Sequence, residues 1–185
     1  MLLSRFTRVV DGCAGHLRPL LTEALGAAGD IATRLTGGAA PDPPVVPPER
    51  IEQLRRELPP PIARGERGRK THGRWFDSNG NAEPIVSGED ADSDAADAML
   101  KDTGMRAAST TTADVEIKLA ARMVRDGIRH ATVLINDTPC VGRFGCDTLV
   151  PILLPAGATL TVHGMNAKGE RFRKRHTGGA NPWWR

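Results

Sequence analysis

A helix and then a strand are predicted where the chain reads Ala113-Asp114-Val115-Glu116-Ile117-Lys118-Leu119-Ala120-Ala121-Arg122-Met123 and then Ala131-Thr132-Val133-Leu134-Ile135. In the first stretch Val115, Leu119 and Met123 recur at helical spacing, and they mark the apolar face of a helix that ends at Gly127. The second stretch is a continuous β-branched and aliphatic run, which is typical of a buried strand. The two together predict an α/β domain.

Shorter elements on either side of this pair extend the sheet. A hairpin is predicted from Arg74 to Ser87, because Asn79-Gly80 supplies the positive φ angles of a tight turn. The acidic stretch Gly88–Thr112 is assigned no helix or strand. Further along, the pattern predicts a helix and two strands, at Asp147–Leu154, Thr159–His163 and Glu170–His176. The order hairpin, helix, strand, helix, strand, strand predicts a mixed sheet with helices packed on it.

Three regions are predicted along the chain: an amphipathic helical segment at 1–38, a proline-rich and basic linker at 39–72, and a folded domain at 73–185. In 1–38 apolar side chains recur every three or four residues, as in a helix that packs against another helix. We interpret this segment as a docking element for a helical partner; the alternative is a helix folded back on its own domain. A short helix is also predicted within the linker, at Ile51–Leu58.

Composition narrows the possible partners. The 185-residue chain has a formal net charge of only +3, but its C-terminal end carries one acidic residue, Glu170, among the basic residues Lys168, Arg171, Arg173, Lys174, Arg175 and Arg185. Such a patch suits a polyanion such as DNA or RNA, and it equally suits a charged edge strand that resists pairing with other sheets. No apolar run approaches the roughly 20 residues of a membrane span, and we expect no cleavable signal peptide.

Three candidate zinc ligands flank the predicted strand. Asp114 stands at the start of the helix, and Cys140 and Cys146 follow the strand. In a compact α/β unit the end of a strand readily meets the start of a neighbouring helix. Two thiolates and one carboxylate leave the fourth zinc position to water, which is the stoichiometry of a catalytic site. Glu116 points in another direction from the first turn, and it is the candidate proton carrier.

This pattern is close to the nucleobase deaminase signature, H-x-E followed by P-C-x-x-C. It departs from that signature in two ways, since Asp114 stands where His is usual and five residues rather than two separate the cysteines. Structural interpretations also exist: Thr111 and Asp114 fit a capping box, and the cysteines fit a local disulfide or two buried thiols. Three histidines near strand ends are candidate further ligands, nucleic-acid contacts or surface residues: His130, His163 and His176.

From Gly73 onward the chain resembles the bacterial toxin-type cytidine deaminases, the group that includes the toxin acting on cytosine in double-stranded DNA. Beyond the helix and strand quoted above, the resemblance rests on Pro139-Cys140, Gly145-Cys146-Asp147, Leu153-Leu154-Pro155 and Leu160-Thr161-Val162-His163-Gly164. It implies a cytidine-deaminase-like fold, with a five-stranded mixed sheet and helices on its faces. It also implies zinc at Asp114, Cys140 and Cys146, Glu116 as acid and base, and a base pocket formed by Val86, Ser87 and Pro139.

The expected function is therefore zinc-dependent conversion of cytosine to uracil in nucleic acid, with DNA favoured over RNA. The resemblance further implies an antibacterial toxin domain with an immunity protein as partner. Such a protein would be cytoplasmic as synthesised, and secretion without a leader would let it act in the cytoplasm of a target cell. The alternatives are a catalytically inactive deaminase fold that serves as a binding module, and an interaction protein that acts through its N-terminal helix.

Overall fold

The computed structural model describes residues 46–63, 66, 68–77, 80–106 and 110–184. These residues belong to a unit that runs from Pro43 to Arg185. The helical segment predicted at 1–38, with its proposed docking role, lies outside the described residues.

The described residues form four α-helices and five strands. The helices are α1 (Pro48–Glu57), α2 (Ala91–Asp102), α3 (Val115–Arg125) and α4 (Cys146–Leu153), and a short 3-10 helix, Thr110–Ala113, precedes α3. The strands are β1 (His72–Phe76), β2 (Ala82–Val86), β3 (His130–Ile135), β4 (Thr159–Met165) and β5 (Arg171–Thr177). None of these helices is long and apolar enough to cross a membrane.

The strands form one mixed sheet in the order β2-β1-β3-β4-β5. Strands β1 and β2 are an antiparallel hairpin, and β1 also pairs antiparallel with β3. The central pair, β3 and β4, is parallel, and β5 returns antiparallel to β4 at the sheet edge. The predicted five-stranded mixed sheet with helices packed around it is therefore confirmed.

The alternation of side chains along β3 gives each face of the sheet a different cover. Ala131, Val133 and Ile135 belong to the main core, which also includes buried residues of α2, α3 and α4. Leu134 faces the other way and packs with Ile51 and Leu54 of α1. Helix α1 lies within the predicted linker, so that part of 39–72 is packed against the sheet.

Helix α2 was not predicted, because its inward face is partly polar. Asp92 and Ser93 are buried beside Ala96 and Leu100, so the segment lacks a continuous apolar stripe. Asp92 pairs with Arg122 and Arg125 of α3, which compensates its burial. The acidic residues of this stretch therefore join α2 to α3.

Candidate metal centre and active site

Three side chains that could hold a metal ion meet where α3 and α4 begin. Asp114 is the residue before α3, Cys140 lies in the loop after β3, and Cys146 is the first residue of α4. One ligand atom of each lies within 4.8 Å of the other two. The Asp114 Oδ2 atom is 3.2 Å from Cys140 Sγ and 3.4 Å from Cys146 Sγ, and the two sulfurs are 3.2 Å apart. The structure thus brings together all three predicted ligands.

The loop between the cysteines is held by its own hydrogen bonds. The backbone N–H of Cys146 donates to Cys140 Sγ at 3.0 Å, and Gly145 N–H donates to Gly142 O at the same distance. A side chain at Gly145 would collide with the backbone of Cys140 and Val141. The five intervening residues therefore form a fixed turn that returns the second thiol to the first.

Of the structural interpretations, the capping box and the disulfide do not describe the observed contacts, whereas two ordinary thiols stay an alternative. Asp114 occupies the N-cap position of α3, yet its side chain makes no capping hydrogen bond. Cys140 and Cys146 are free thiols, and their sulfur separation of 3.2 Å exceeds the roughly 2.05 Å of a disulfide. The donor set of two thiols and a carboxylate fits zinc, which binds sulfur and oxygen ligands in this combination.

The electrostatics of the cluster favour a bound cation. Burial raises the pKa of Asp114, and the nearby charge of Asp137 raises it further, although hydrogen bonds from both thiols oppose these effects. The hydrogen bond with Cys140 and burial raise the pKa of the Cys146 thiol well above its ordinary range. A divalent cation would offset the mutual repulsion of these groups in their ionised forms.

Glu116 lies directly beside this cluster and is 3% exposed. Burial raises the pKa of Glu116 to about 7, with the charges of Asp114 and Asp137 adding to the effect and hydrogen bonds from its own backbone N–H and from Cys146 opposing it. Such a carboxyl group can accept and release protons near neutral pH. The predicted proton carrier is therefore in contact with one predicted ligand, Cys146, and close enough to Asp114 to feel its charge.

Two residues of this site were not predicted from the sequence. The Lys118 side chain is 3% exposed, and its Nζ donates to Val86 O at 2.7 Å, to Gly88 O at 3.1 Å and to Asp90. Asp137 follows β3 and acts electrostatically on both Asp114 and Glu116. Lysine in a helix usually lies at the surface, so the sequence carried no signal for its burial.

The proposed base-pocket residues lie around this centre. Gly88 N–H donates to Ala113 O at 2.8 Å, which places the Val86-Ser87-Gly88 segment beside the start of α3. Ser87 Oγ accepts a hydrogen bond from Thr71 N–H at 2.8 Å, which fixes the segment from its other side. Pro139 is half-buried and directly precedes Cys140. Their position is compatible with a pocket, and their contact with a base stays a prediction.

The histidines predicted as possible extra ligands do not join the cluster found among the described residues. His130 lies at the start of β3, and its Nδ1 is 2.9 Å from Thr159 Oγ1. His176 is buried in β5, and burial lowers its pKa. His163 lies in β4, where burial and then the charges of Arg173 and Arg55 lower its pKa.

Half of the predicted basic patch follows one face of β5. Arg171, Arg173 and Arg175 line a cavity of about 600 Å³ together with His163 and with Arg55 of α1. Lys174 points to the opposite face and pairs with Asp147 at 2.7 Å. Because β5 is an edge strand, the patch has the position expected of either interpretation, a polyanion surface or a protected edge.

A second cavity, of about 720 Å³, lies next to the candidate centre. It is lined by Asp137 and Thr138 after β3, by the Asn166–Glu170 turn, and by Ile62, Ala63 and Glu66. Asn136 holds the segment after α1 against the end of β3, because its Nδ2 donates to the carbonyl oxygens of Pro59 and Pro60 at 3.3 and 3.2 Å. Asp137, whose charge raises the pKa of Glu116, thus lines this cavity.

The two C-terminal tryptophans have different roles. Trp184 is half-buried, packs against the main core and donates from Nε1 to Thr103 O at 3.3 Å. Trp183 is exposed, and its Nε1 donates to Arg143 O at 3.0 Å in the loop between the cysteines. Trp184 therefore covers part of the apolar core, whereas Trp183 lies at the surface.

Comparison with known proteins agrees with this geometry. The model of one protein family, the SCP1.201-like deaminases, matches residues 38–180, which is more than half of the chain. Among curated proteins, none matches this sequence.

Proposed function

Because the chain belongs to the SCP1.201-like deaminase family, we propose that it converts cytosine to uracil in nucleic acid, DNA in preference to RNA, with zinc as cofactor. The reaction is hydrolytic: one water adds to the ring carbon that carries the amino group, and one ammonia leaves. Cytosine and one water give uracil and one ammonia, so no further reactant is needed.

The contact between Glu116 and the Asp114, Cys140 and Cys146 cluster carries the proposal. A buried carboxyl group beside a cluster of three candidate ligands matches the zinc deaminase arrangement of a metal site and a separate proton carrier, with Asp114 in the place of the usual histidine. A structural zinc site has four protein ligands, whereas this cluster has three. The donor set therefore favours a site that keeps one position for a reactant.

In this mechanism Asp114, Cys140 and Cys146 hold the metal ion. When bound there, zinc lowers the pKa of a water molecule, so that water becomes a nucleophile near neutral pH. The Glu116 carboxylate accepts the proton of the attacking water and gives it to the ring nitrogen next to the reacting carbon. It then carries the proton of the newly added hydroxyl group to the departing amino group, so that ammonia leaves and the ring carbon becomes a carbonyl. Burial of Glu116 keeps bulk water from competing for these protons.

Asp114 changes the charge of the site. Zinc with two thiolates and a neutral histidine has no net charge, whereas a carboxylate in place of histidine leaves the site negative by one. A more electron-rich metal acidifies water less. We therefore expect a slower reaction, or one that works best at higher pH, than in a relative with histidine at this position.

Basic side chains that line two cavities support a polymeric anionic substrate. Arg171, Arg173 and Arg175 line one cavity, and Lys168 lines the cavity that borders Asp137. Phosphate groups of a nucleic acid strand are the natural counterparts of such residues. A free nucleoside would use none of them.

The resemblance to toxin-type deaminases also supports a proposal about the biological role of the protein. We propose an antibacterial toxin domain that acts in a target-cell cytoplasm and is blocked by an immunity protein. Expression of the wild-type chain in a sensitive bacterium should cause C-to-T mutations and growth arrest, and Glu116→Ala should cause neither. Equal toxicity of the two chains would contradict this role.

Incubation of the purified protein with single-stranded DNA, double-stranded DNA and RNA, followed by sequencing, tests the reaction. We expect C-to-U changes with the wild-type chain and a loss of about 10²- to 10⁴-fold in rate for Glu116→Gln, the range typical of general acid and base catalysis. Glu83→Gln is the matched control, since Glu83 is exposed in β2. Full zinc content with no conversion of any substrate would instead indicate a binding module.

A further inference from the structure

The cavity of about 600 Å³ between α1 and β5 lies on the sheet face opposite the candidate metal centre. The strand register places Thr132, Thr161 and Arg175 side by side on this face. The residues that alternate with them on β3 and β4 belong to the main core, as does Cys146. The sheet therefore separates this cavity from the reacting groups. We call it the arginine groove, and its charged and titratable lining residues are Glu52, Arg55, His163, Arg171, Arg173 and Arg175.

The arginine groove carries more positive charge than its own residues neutralise. Four arginines and one glutamate line it, which leaves three positive charges in excess. Glu52 is shared, because its Oε2 pairs with Arg171 at 2.9 Å and its Oε1 lies 3.5 Å from Arg55 Nε. Within the described part of the chain no carboxylate pairs with Arg173 or Arg175. This excess charge favours a ligand with several negative charges.

Arg55 is the buried member of the arginine groove. Its side chain is 9% exposed, and its Nη1 donates to Gly164 O at 3.1 Å. The buried Nε makes no hydrogen bond with any of the described residues. A buried donor without an acceptor is costly, most of all on a charged group. An anion in the groove would supply the acceptor, and a guanidinium fork matches the oxygens of a phosphate group.

The groove is open along the edge of the sheet. Arg171, Arg173 and Arg175 are exposed on β5, which is the edge strand beside β4. Side chains two residues apart on a strand are roughly 7 Å apart, so each arginine can face a different phosphate of an extended strand. The wall formed by α1 contributes Arg55 from the other side. A linear polyanion can thus lie between α1 and β5.

We propose that the arginine groove binds backbone phosphates of the nucleic acid several nucleotides away from the target cytosine. This inference rests on the proposed function for the identity of the substrate. A strand that occupies both the groove and the metal centre must pass around the edge of the sheet at β5. The preferred substrate is therefore long enough to span both faces, and its phosphates replace Glu52 as the partner of Arg171 and Arg55.

Binding measured without catalysis separates this inference from the proposed function. In a Glu116→Gln background, anisotropy gives the Kd of labelled single- and double-stranded DNA of about 16 nucleotides, the upper end of common single-strand site sizes. Arg55→Gln and Arg173→Gln should each raise the Kd for the preferred form about tenfold at low salt, the effect of losing one charged hydrogen bond. For a single strand each should also reduce the slope of log Kd against log salt by about 0.7.

Arg56→Gln is the matched control. Arg56 is the next residue of α1, is exposed and does not line the groove, so the variant removes the same charge without the same site. Kd values for Arg55→Gln and Arg173→Gln within twofold of this control would overturn the inference. Zinc content and circular dichroism of each variant must equal those of the parent. If Arg55→Gln fails this criterion, the exposed Arg173 still decides the test.

Glu52→Gln provides a test with the opposite sign. Removing the carboxylate that competes for Arg171 and Arg55 should lower the Kd for DNA, by up to about fivefold, the range of a partly exposed ion pair. A Kd at or above that of the parent would overturn the inference, because bound phosphates must take the place of this carboxylate.

Kinetics in the Glu116 protein test the distance from the target. Arg173→Gln should lower kcat/KM for a strand of about 16 nucleotides but not for one of about 4, the lower end of the site sizes. An equal loss for both lengths would place the arginines at the reacting nucleotide and overturn the inference. If the Kd rises as expected but no protein, including the parent, deaminates DNA, the phosphate site stands and the proposed function fails.

Discussion

Two helices of this protein begin with an aspartate in the N-cap position, and their carboxylates are used in opposite ways. Asp90 at α2 accepts hydrogen bonds from the backbone N–H groups of Asp92 and Ser93 at 3.0 and 3.1 Å, and Ser93 completes the capping box. Asp114 at α3 also has an extended backbone but makes no capping bond. Its Oδ2 lies instead between two thiols.

The pKa values of the two aspartates are shifted in opposite directions. Burial alone would raise the pKa of Asp90, but hydrogen bonds from Lys118 and from the α2 backbone outweigh it and lower the pKa. Burial raises the pKa of Asp114, and the thiols do not compensate. A carboxylate that accepts hydrogen bonds from its own helix stabilises that helix. A carboxylate that makes no such bonds stays available to a ligand, and the helix loses about 1 kcal/mol of capping stabilisation.

Exchanging each aspartate for alanine should separate the two roles most strongly. Asp114→Ala should weaken zinc binding by at least about 100-fold, since losing even an outer partner of a ligand costs 10- to 100-fold. Asp90→Ala should leave zinc affinity unchanged and lower the free energy of unfolding by more than about 1 kcal/mol, because it removes both the cap of α2 and the carboxylate partner of the buried Lys118. Competition with a chromophoric chelator and urea unfolding measure the two effects. Equal zinc affinity of both variants would show that Asp114 is not a ligand.

Asp114→His tests whether the carboxylate tempers the metal. The variant should keep zinc and retain or raise the deamination rate, because a neutral ligand restores the charge balance of the site. Its pH optimum should move down relative to the wild-type chain. The measurements are zinc content by atomic absorption and initial rates across pH. A lower deamination rate at every pH with zinc still bound would contradict the proposed effect of the carboxylate on the metal.

Lys118 connects the Asp90 cap to the candidate pocket, so its removal should disturb both. Lys118→Met should lower the free energy of unfolding by about 2–3 kcal/mol, since it leaves the carbonyl oxygens of Val86 and Gly88 without their charged donor. Lys101→Met is the matched control, because that side chain is 61% exposed and its loss should change stability by less than about 0.5 kcal/mol. Similar urea midpoints for both variants would contradict a structural role of Lys118.

Low pH should weaken the ion pairs that join α2 to α3. Burial by itself raises the pKa of Asp92, but hydrogen bonds from Arg122 and Arg125 outweigh it and hold the pKa below its ordinary value of 3.8. A lowered carboxyl pKa stabilises the fold above that value and loses its effect as pH falls through the shifted pKa.

Asp92→Asn should therefore lower the free energy of unfolding by about 1–2 kcal/mol at pH 7. The difference between variant and wild type should shrink as pH falls below about 4. Urea unfolding at several pH values gives this difference directly. A constant difference across the range would mean that the arginine contacts do not act through the charge of Asp92.

The comparison also explains how far sequence alone could reach. Helix α3 and strand β3 carry regular apolar patterns, and their order brings Asp114 and Cys140 to one end of the sheet. The ligand cluster could therefore be predicted from spacing and topology. Helix α2 could not, because Asp92 and Ser93 occupy inward positions that a periodicity test expects to be apolar.

The burial of Lys118 and the contact of Trp183 with the loop between the cysteines could not be predicted, for related reasons. A lysine is assumed to reach solvent, and only the folded chain shows that Val86 and Gly88 surround its ammonium group. The contact of Trp183 with the loop at Arg143 joins positions 40 residues apart. No local pattern encodes such a pairing.

The separation of the ligands along the chain has a thermodynamic consequence. Cys140 and Cys146 are six positions apart, so an unfolded chain can still bind zinc through both thiols, whereas Asp114 joins them only after α3 and β3 have packed. A ligand stabilises a fold only to the extent that it prefers the folded over the unfolded chain. The increase in melting temperature with free zinc thus measures how much more tightly the folded chain binds zinc than the unfolded chain, a difference to which Asp114 contributes, rather than the total affinity of the site.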